Sequence, residues 1–394
     1  MLAIYIGIAP RVYRQMIRGY ADFSNFYTAG EILKEGQSEH LYDLRLQTDV
    51  QKRFSEGAAL RDRALPYMRP PIEALLFLPF SYLSYQRAYV IWVGCNMFLV
   101  LLTAWFLRSR IPVLSTIPAW VYYLAYSSFY PIALGFALGQ DAALISLLFA
   151  GVMVQWVRGK DFQAGVLLGL CLIKFQLVLP LIFILILKKQ FRCLAGLSLS
   201  SAVMVAVSTL VVGWSGMISY PRYLFQLNGK GAGAGIYPSV MPSLRGLVQG
   251  WVDPMHPLPV LDVLTALIVL VFLVWAARQW NTEAPRPSST YSHGMAVVLL
   301  AVLLAGYHEF IYDLSLLLPV ALVGFLAGWQ DSERNPVARW MLLLGAGSLL
   351  FPPLYFFLLV KAQLNLMAIP VLLLCGGFAR LSNTPPKTWI SVPA

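Results

Sequence analysis

The sequence predicts an all-α, polytopic membrane protein: a single domain over 1–394 built as a bundle of about ten to twelve membrane helices, some short or broken. Two large extracytoplasmic loops, 20–86 and 214–258, complete it. Three observations carry this. First, 59% of the 394 residues are hydrophobic and only 12% are charged, where soluble domains run near 45–50% and about 25%; mean hydropathy is +0.68. Second, apolar runs at 88–107, 141–157, 194–213 and 259–277 each approach the roughly 20 residues that cross ~30 Å of hydrocarbon. Third, the bases cluster between the runs, at Arg108/Arg110, Arg158/Lys160, Lys188/Lys189/Arg192, Arg278/Arg286, Arg334/Arg339 and Arg380/Lys387. Only Asp161, Glu283, Asp331 and Glu333 offset them there, which marks these loops as cytoplasmic. The net charge of +11 therefore needs no nucleic acid to explain it.

Taken in order, "MLAIYIGIAP" gives ten apolar residues before Arg11, about 15 Å of helix. That is too short to span a bilayer and lacks the cleavage site of a signal peptide. Either the chain starts upstream, or a short tilted helix lets its arginines snorkel. Segment 20–86 reads as a helix over 23–35, a turn at Gly36, a second helical stretch over 40–54, and then "YMRPPIEALLFLPFSYL" (67–83). The prolines at 70–71 and Pro79 limit that last piece to a short helix at the membrane surface. Runs 88–107, 112–128 and 141–157 then alternate direction. Segment 162–187 begins and ends beside cytoplasmic bases, too long for a turn and too short for two crossings. Two half-length helices meeting near "IKFQ" (173–176) resolve this, because broken helices are tolerated where they line an enclosed cavity.

Run 191–213 returns outward, and the glycines of "NGKGAGAGIYPSVMPSLRGL" (228–247) lack P-loop spacing, leaving a mobile lid or a plain linker. Run 259–277 goes in, 293–307 and 311–329 form an out-and-back pair with "YHEF" (307–310) at its outer turn, and 337–360 and 366–379 close the bundle. The four cysteines, Cys95, Cys171, Cys193 and Cys375, have no CxxC spacing and read as small core residues.

No HExxH, zinc-type Cys/His cluster, GxSxG or GxGxxG appears. What remains on the outer side is Asp22, Glu31, Asp141, Lys174, Arg245, His308, Glu309 and Asp313. Asp22 and Asp141 each precede a helix, so N-capping competes with chemistry at both, and at Asp141 the cap is favoured. Lys174 is either a pocket residue or a snorkelling one, and intramembrane bases are usually functional. His308 and Asp313 share a face only if the helix begins near 311. "PPIE" (70–73) and "MPSLRG" (241–246) look like loop punctuation.

These residues, in order, resemble a known family. "DFSNFYTAG" (22–30), "EGQSEHLYD" (35–43), "RPPIEALLFLPFSYLSYQRAYVIW" (69–92), "LGQDAALISLLFAG" (138–151), "AGVLLGLCLIKFQLVLPLIF" (164–183), "MPSLRGL" (241–247) and "YHEFIYDLSLLLP" (307–319) are similar to the family 87 glycosyltransferases. These are polytopic GT-C enzymes that include polyprenyl-phosphate-mannose-dependent α-mannosyltransferases of bacterial cell envelopes. The family often has Gly-Gln-Asn and Lys-Pro where this chain has Gly139-Gln140-Asp141 and Lys174-Phe175.

The resemblance implies an inverting transferase of the bacterial inner membrane, working on its extracytoplasmic side. A sugar, mannose first, would pass from a polyprenyl-phosphate donor to a glycolipid or polysaccharide acceptor, with no cofactor or metal. Asp22 maps onto the family's proposed base, which fits chemistry needing one carboxylate to take a hydroxyl proton and cations to meet a phosphate leaving group. Lys174 and Arg245 are then candidates for the donor phosphate. Gln140, Glu309 and Asp313 are candidates for sugar or acceptor binding, and His308 either contacts the sugar or orients Asp22. Tyr27, beside Phe26, either packs on the sugar face or anchors at the interface. A transporter or flippase of a lipid-linked sugar is the competing reading, because broken helices and an intramembrane lysine suit it as well.

Overall fold

The computed structural model describes residues 2–55, 64–228, 237–253, 258–286, 288–330 and 335–382, and every regular element among them is helical. Helix α1 (Leu2–Gln15) passes through a π-turn at Met16–Tyr20 into α2 (Phe23–Lys34), followed by α3 (Leu44–Phe54) and α4 (Pro71–Phe77). The membrane bundle begins with α5 (Tyr85–Arg110), whose last turn carries Arg108 and Arg110, the charge sign a helix C-terminus favours. Next come α6 (Pro112–Ser115), α7 (Ala119–Ser128), α8 (Tyr130–Leu138), α9 (Ala142–Val157), α10 (Asp161–Leu170), α11 (Phe175–Leu187) and α12 (Phe191–Asn228). Then α13 (Leu244–Gln249), α14 (Pro259–Gln279), α15 (Ser289–Ala305), α16 (Leu318–Gln330), α17 (Pro336–Leu349), α18 (Pro352–Val360) and α19 (Ala368–Ser382) complete the chain.

Among the described residues six helical runs are long and apolar enough to cross a membrane, or up to eight if each bent pair counts as one span. The pairs α7–α8 and α17–α18 bend by 48° and 68°, each at a proline that opens the second helix. Shorter apolar helices at Pro71–Tyr82, Ala142–Val157 and Ser289–Ala305 fill in around them. The chain is a multi-pass, all-α membrane protein.

The break expected near 173–176 is present. A 3-10 turn over Cys171–Lys174 separates α10 from α11, and close approaches show what it does. A Cβ on Gly165 would lie 1.9 Å from the Cys193 carbonyl oxygen, and one on Gly169 would lie 1.9 Å from Ser200 Oγ. Residue number rises together on both sides of this contact, so α10 and the start of α12 run parallel. A straight α10–α11 rod would carry Leu187 about 33 Å beyond Gly165. The six residues to Cys193 reach only ~20 Å, so α11 must fold back, and residues 161 and 191 share one end of the bundle. That end is basic, and there Arg286 Nη1 binds Asp161 Oδ1 at 2.6 Å and the Trp156 carbonyl at 3.2 Å.

Several local expectations need adjustment. Pro71 does not merely punctuate: it opens α4 from the N1 position, where its missing N–H costs nothing. Within α12, Gly213 (φ 69°, ψ 176°) is a non-helical kink between two helical pieces, and 214–228 is helical rather than loop. Residues 229–236, the glycine-rich part of the expected lid or linker, lie outside the described residues. Ser243 caps α13, its Oγ accepting from the Gly246 N–H. Cys171, Cys193 and Cys375 are buried and Cys95 partly so, all four as free thiols.

Two packed regions result. The larger is the membrane core of α5 to α19. The smaller holds segment 20–86 on the bundle through Phe23, Phe26, Phe77, Tyr85 and Trp92. Phe26 and Phe77 stack at 4.7 Å and are almost wholly buried, about 1.5–3 kcal/mol each relative to exposure. The candidate site forms where these regions meet.

Candidate active site

Asp22 follows the π-turn that leads out of α1. Gly19 sits at φ 92° inside the π-turn, and Asp22 follows with helical backbone (φ −61°, ψ −22°) at the head of α2. Its side chain makes no capping hydrogen bond, as expected when the residue is already helical rather than extended. The capping alternative therefore falls. Instead, Gln140 Nε2 donates to Asp22 Oδ2 at 2.8 Å, and the carboxylate is only half-buried.

Gln140 is aimed by the end of α8. Gly139 takes the left-handed conformation (φ 63°, ψ 38°), and the Gln140 N–H returns to the Gly135 carbonyl at 2.9 Å, a glycine C-cap of the Schellman type. Trp92 Nε1 donates to the Gly139 carbonyl at 2.9 Å and Tyr89 Oη to that of Ala137 at 2.8 Å. Residues 140 and 141 then diverge, Gln140 to Asp22 and Asp141 into the protein.

Asp141 is no cap either. It stands at the head of α9 without a capping hydrogen bond and is completely buried. Its Oδ1 accepts from Arg69 Nη2 at 3.0 Å, with Lys174 Nζ 3.9 Å away. Lys174, at the break between α10 and α11, is itself buried and also pairs with Asp313. Asp313 reaches back from the 3-10 turn Ile311–Leu317, its Oδ2 accepting the Phe310 N–H at 3.0 Å. The helical turn thus does begin at 311. Burial alone would raise the Asp141 pKa, but Arg69 and then Lys174 overcome it and hold the group below its ordinary value.

Two further carboxyls flank this quartet. Glu73 lies 3.8 Å from Arg69 Nε, and Glu309 sits beside Asp313. Burial first, then the adjacent Asp141 or Asp313 carboxylate, pushes both well above the usual range. Between them, the cations Arg69 and Lys174 pair with the Asp141 and Asp313 carboxylates, as a low-dielectric interior demands of buried charge.

His308 is half-buried, its ring edge-on to Phe310 at 4.9 Å. Burial and the charges of Arg245, Arg69 and Lys174 pull its pKa down to about 3, so the imidazole is neutral. Arg245 stacks on the Tyr307 ring at 3.8 Å and donates from Nη1 to the Tyr307 carbonyl at 3.1 Å and from Nε to Gln249 Oε1 at 3.1 Å. Tyr27 is buried and its hydroxyl donates to the Leu83 carbonyl at 2.7 Å, while Glu31 pairs with Lys34. Among the described residues no three or more of His, Cys, Asp and Glu are grouped to hold a metal ion.

The structure thus joins Asp22 to Gln140 and Lys174 to Asp313, and brings the fields of Lys174 and Arg245 onto His308. It adds Arg69 and Glu73, which the sequence reading passed over as loop. The usable signal was an Arg and a Glu flanking Pro-Pro inside an otherwise apolar stretch.

The model of glycosyltransferase family 87 matches residues 67–306, more than half of the chain. The chain belongs to glycosyltransferase family 87. The match takes in Arg69, Glu73, Gln140, Asp141, Lys174 and Arg245, while Asp22 precedes it and His308 follows it. This glycosyltransferase is 23% identical over 312 residues to the polyprenol-phosphate-mannose-dependent alpha-(1-2)-phosphatidylinositol mannoside mannosyltransferase of Mycolicibacterium smegmatis, covering 71% of this chain and 68% of that one. No solved structure matches it. The site sets a half-buried carboxylate, Asp22, held by a neutral amide, beside a closed network of buried ion pairs.

Proposed function

We propose that this glycosyltransferase moves a mannosyl residue from a polyprenyl-phosphate donor to a glycolipid or polysaccharide acceptor, at the bundle end opposite the basic loops. Asp22 is the general base. The acceptor hydroxyl oxygen attacks C1 of the sugar as its proton passes to Asp22. The C1–O bond to phosphate breaks with its electron pair going to the leaving polyprenyl phosphate. Attack opposite that group inverts C1, so a β-linked donor gives an α-linked product. One carboxylate suffices, since phosphate leaves without an acid, in contrast to glycoside hydrolysis.

The observation that carries this reading is the Gln140–Asp22 contact. Gln140 holds the Asp22 carboxylate through a neutral amide, where Asp141 is held by a guanidinium. Of the two cations expected to meet the donor phosphate, Arg245 is the better placed, since Lys174 is buried and taken up by Asp313 and Asp141; neutral His308 is suited to sugar hydroxyls. Glu309, Asp313 and Gln140 shape the wall on which sugar or acceptor rests, with Tyr27 holding the loop floor. The bacterial inner membrane is the setting, with the acceptor side extracytoplasmic. Membership of a glycosyltransferase family displaces the transporter reading.

The test is transfer from labelled polyprenyl-phosphate-mannose in membranes holding wild type or Asp22→Asn at matched abundance, with phosphatidylinositol mannosides as first acceptors. Label in a lipid product with wild type but not the Asn variant supports the reading. Equal transfer by both removes Asp22 as base, and no transfer by either removes mannose as the sugar.

A further inference from the structure

Asn96 lies well inside the membrane helix α5, buried to 1% exposure, and neither its amide oxygen nor its nitrogen has a partner among the described residues. A primary amide in an apolar span is costly unless satisfied. Gln140 is buried to 5%, and its Oε1 likewise has no partner. The two residues line one small cavity, together with Gly135, Ser315 and apolar side chains, with room for about one water. Ser315 Oγ is 3.3 Å from Ser146 Oγ, so the hydroxyl on that wall has a neighbour and the two amides are what the cavity must serve.

The chemistry fixes how Gln140 must point. An ionised Asp22 can only accept, so Gln140 must present its NH2 there, as the 2.8 Å contact shows. Its carbonyl oxygen then faces the cavity and needs a donor. A rotated amide would set oxygen against carboxylate. Asn96, on the same cavity, carries a donor without a partner among the described residues.

We propose that Asn96 is a positioning residue for the catalytic base: its amide donates through a water in this cavity to Gln140 Oε1, which locks the Gln140 NH2 onto Asp22. The inference rests on Asp22 being the base. Asn96 touches neither substrate nor the reacting atoms; it fixes the rotation of the amide bonded to the carboxylate.

Leu has nearly the shape of Asn, so Asn96→Leu removes the donor with little change in packing and keeps or raises the melting temperature. With polyprenyl-phosphate-mannose as donor, kcat falls about tenfold, the size of one hydrogen bond to a charged group, while the donor KM stays put. Gln140→Leu produces a similar loss, and the double variant falls no further than Gln140→Leu alone. Wild-type kcat in Asn96→Leu, or a double variant equal to the product of the single losses, overturns the proposal. Should the Leu variant not fold, Asn96→Ser and Asn96→Ala differ only in a hydroxyl: Ser keeps turnover and Ala loses it, and equal turnover overturns the proposal. If Asp22→Asn stays active, the base assignment itself fails. If Asp22→Asn is inactive but Asn96→Leu turns over normally, only the positioning role fails.

Discussion

Asp22 and Asp141 are the same residue type, each at the head of a helix, and Gln140 links them through one backbone step. Their surroundings differ. Asp22 is half-open and bonded to a neutral amide; Asp141 is sealed, with Arg69 at 3.0 Å and Lys174 at 3.9 Å. The comparison teaches that burial and partner charge, not residue type, separate a partly exposed carboxylate, the one proposed as base, from one that holds a wall together. In the proposed reaction the first region carries the chemistry at little structural stake, and the second carries structure.

The sharpest way to break this contrast is to neutralise each side in turn. Asp22→Asn lowers turnover by about 10²–10⁴-fold, the usual contribution of a general base, with an unchanged melting temperature. Asp313→Asn or Lys174→Met does the reverse: removing one partner of a buried pair costs roughly 3–5 kcal/mol, read as lost monodisperse protein in detergent. Lys174→Met combined with Asp313→Leu recovers part of that loss, since no orphaned charge remains. Normal folding of Lys174→Met alone would show that the network does not hold the wall.

A smaller effect comes from the hinge between the regions. At Gly139 an added Cβ would meet Phe23 Cβ at 2.8 Å, on backbone at φ 63°. Gly139→Ala costs on the order of 1–2 kcal/mol of strain and swings Gln140 off Asp22, so activity falls more than stability. The smallest effect is pH-dependent. His308 has a pKa near 3 in the folded protein against about 6.5 unfolded, so the unfolded chain binds more protons between those values. Its contribution to stability is present above pH 6.5 and is lost progressively as pH falls toward 3. The melting temperature of His308→Gln therefore declines less between pH 7 and pH 5 than that of wild type.

Much of this was legible in the sequence, because it lies in local pattern. Apolar runs set the class, basic loops set the topology of 162–187, and the lysine at "IKFQ" marked the break that the parallel packing of α10 on α12 requires. Asp22 came through its neighbours and the family they resemble. What stayed hidden is long-range. Asp141 looked like a cap because its partner Arg69 is 72 residues away, and Arg69 and Glu73 looked like loop because Pro-Pro separates them. Segment 214–258 was expected to be loop throughout, yet after a kink at Gly213 a second helical piece runs on to 228. Asn96 gave no signal, since an isolated amide in an apolar run acquires meaning only from the cavity it shares with Gln140.

The most direct test of the central claim separates binding from chemistry at Asp22. Donor affinity and the single-turnover rate of bound polyprenyl-phosphate-mannose would be measured on purified wild type and Asp22→Asn. The account predicts near-equal affinity and a single-turnover rate at least about 100-fold lower in the variant. Lost affinity with an unchanged rate for the donor that still binds would contradict it, making Asp22 a binding group and moving the proton acceptor elsewhere.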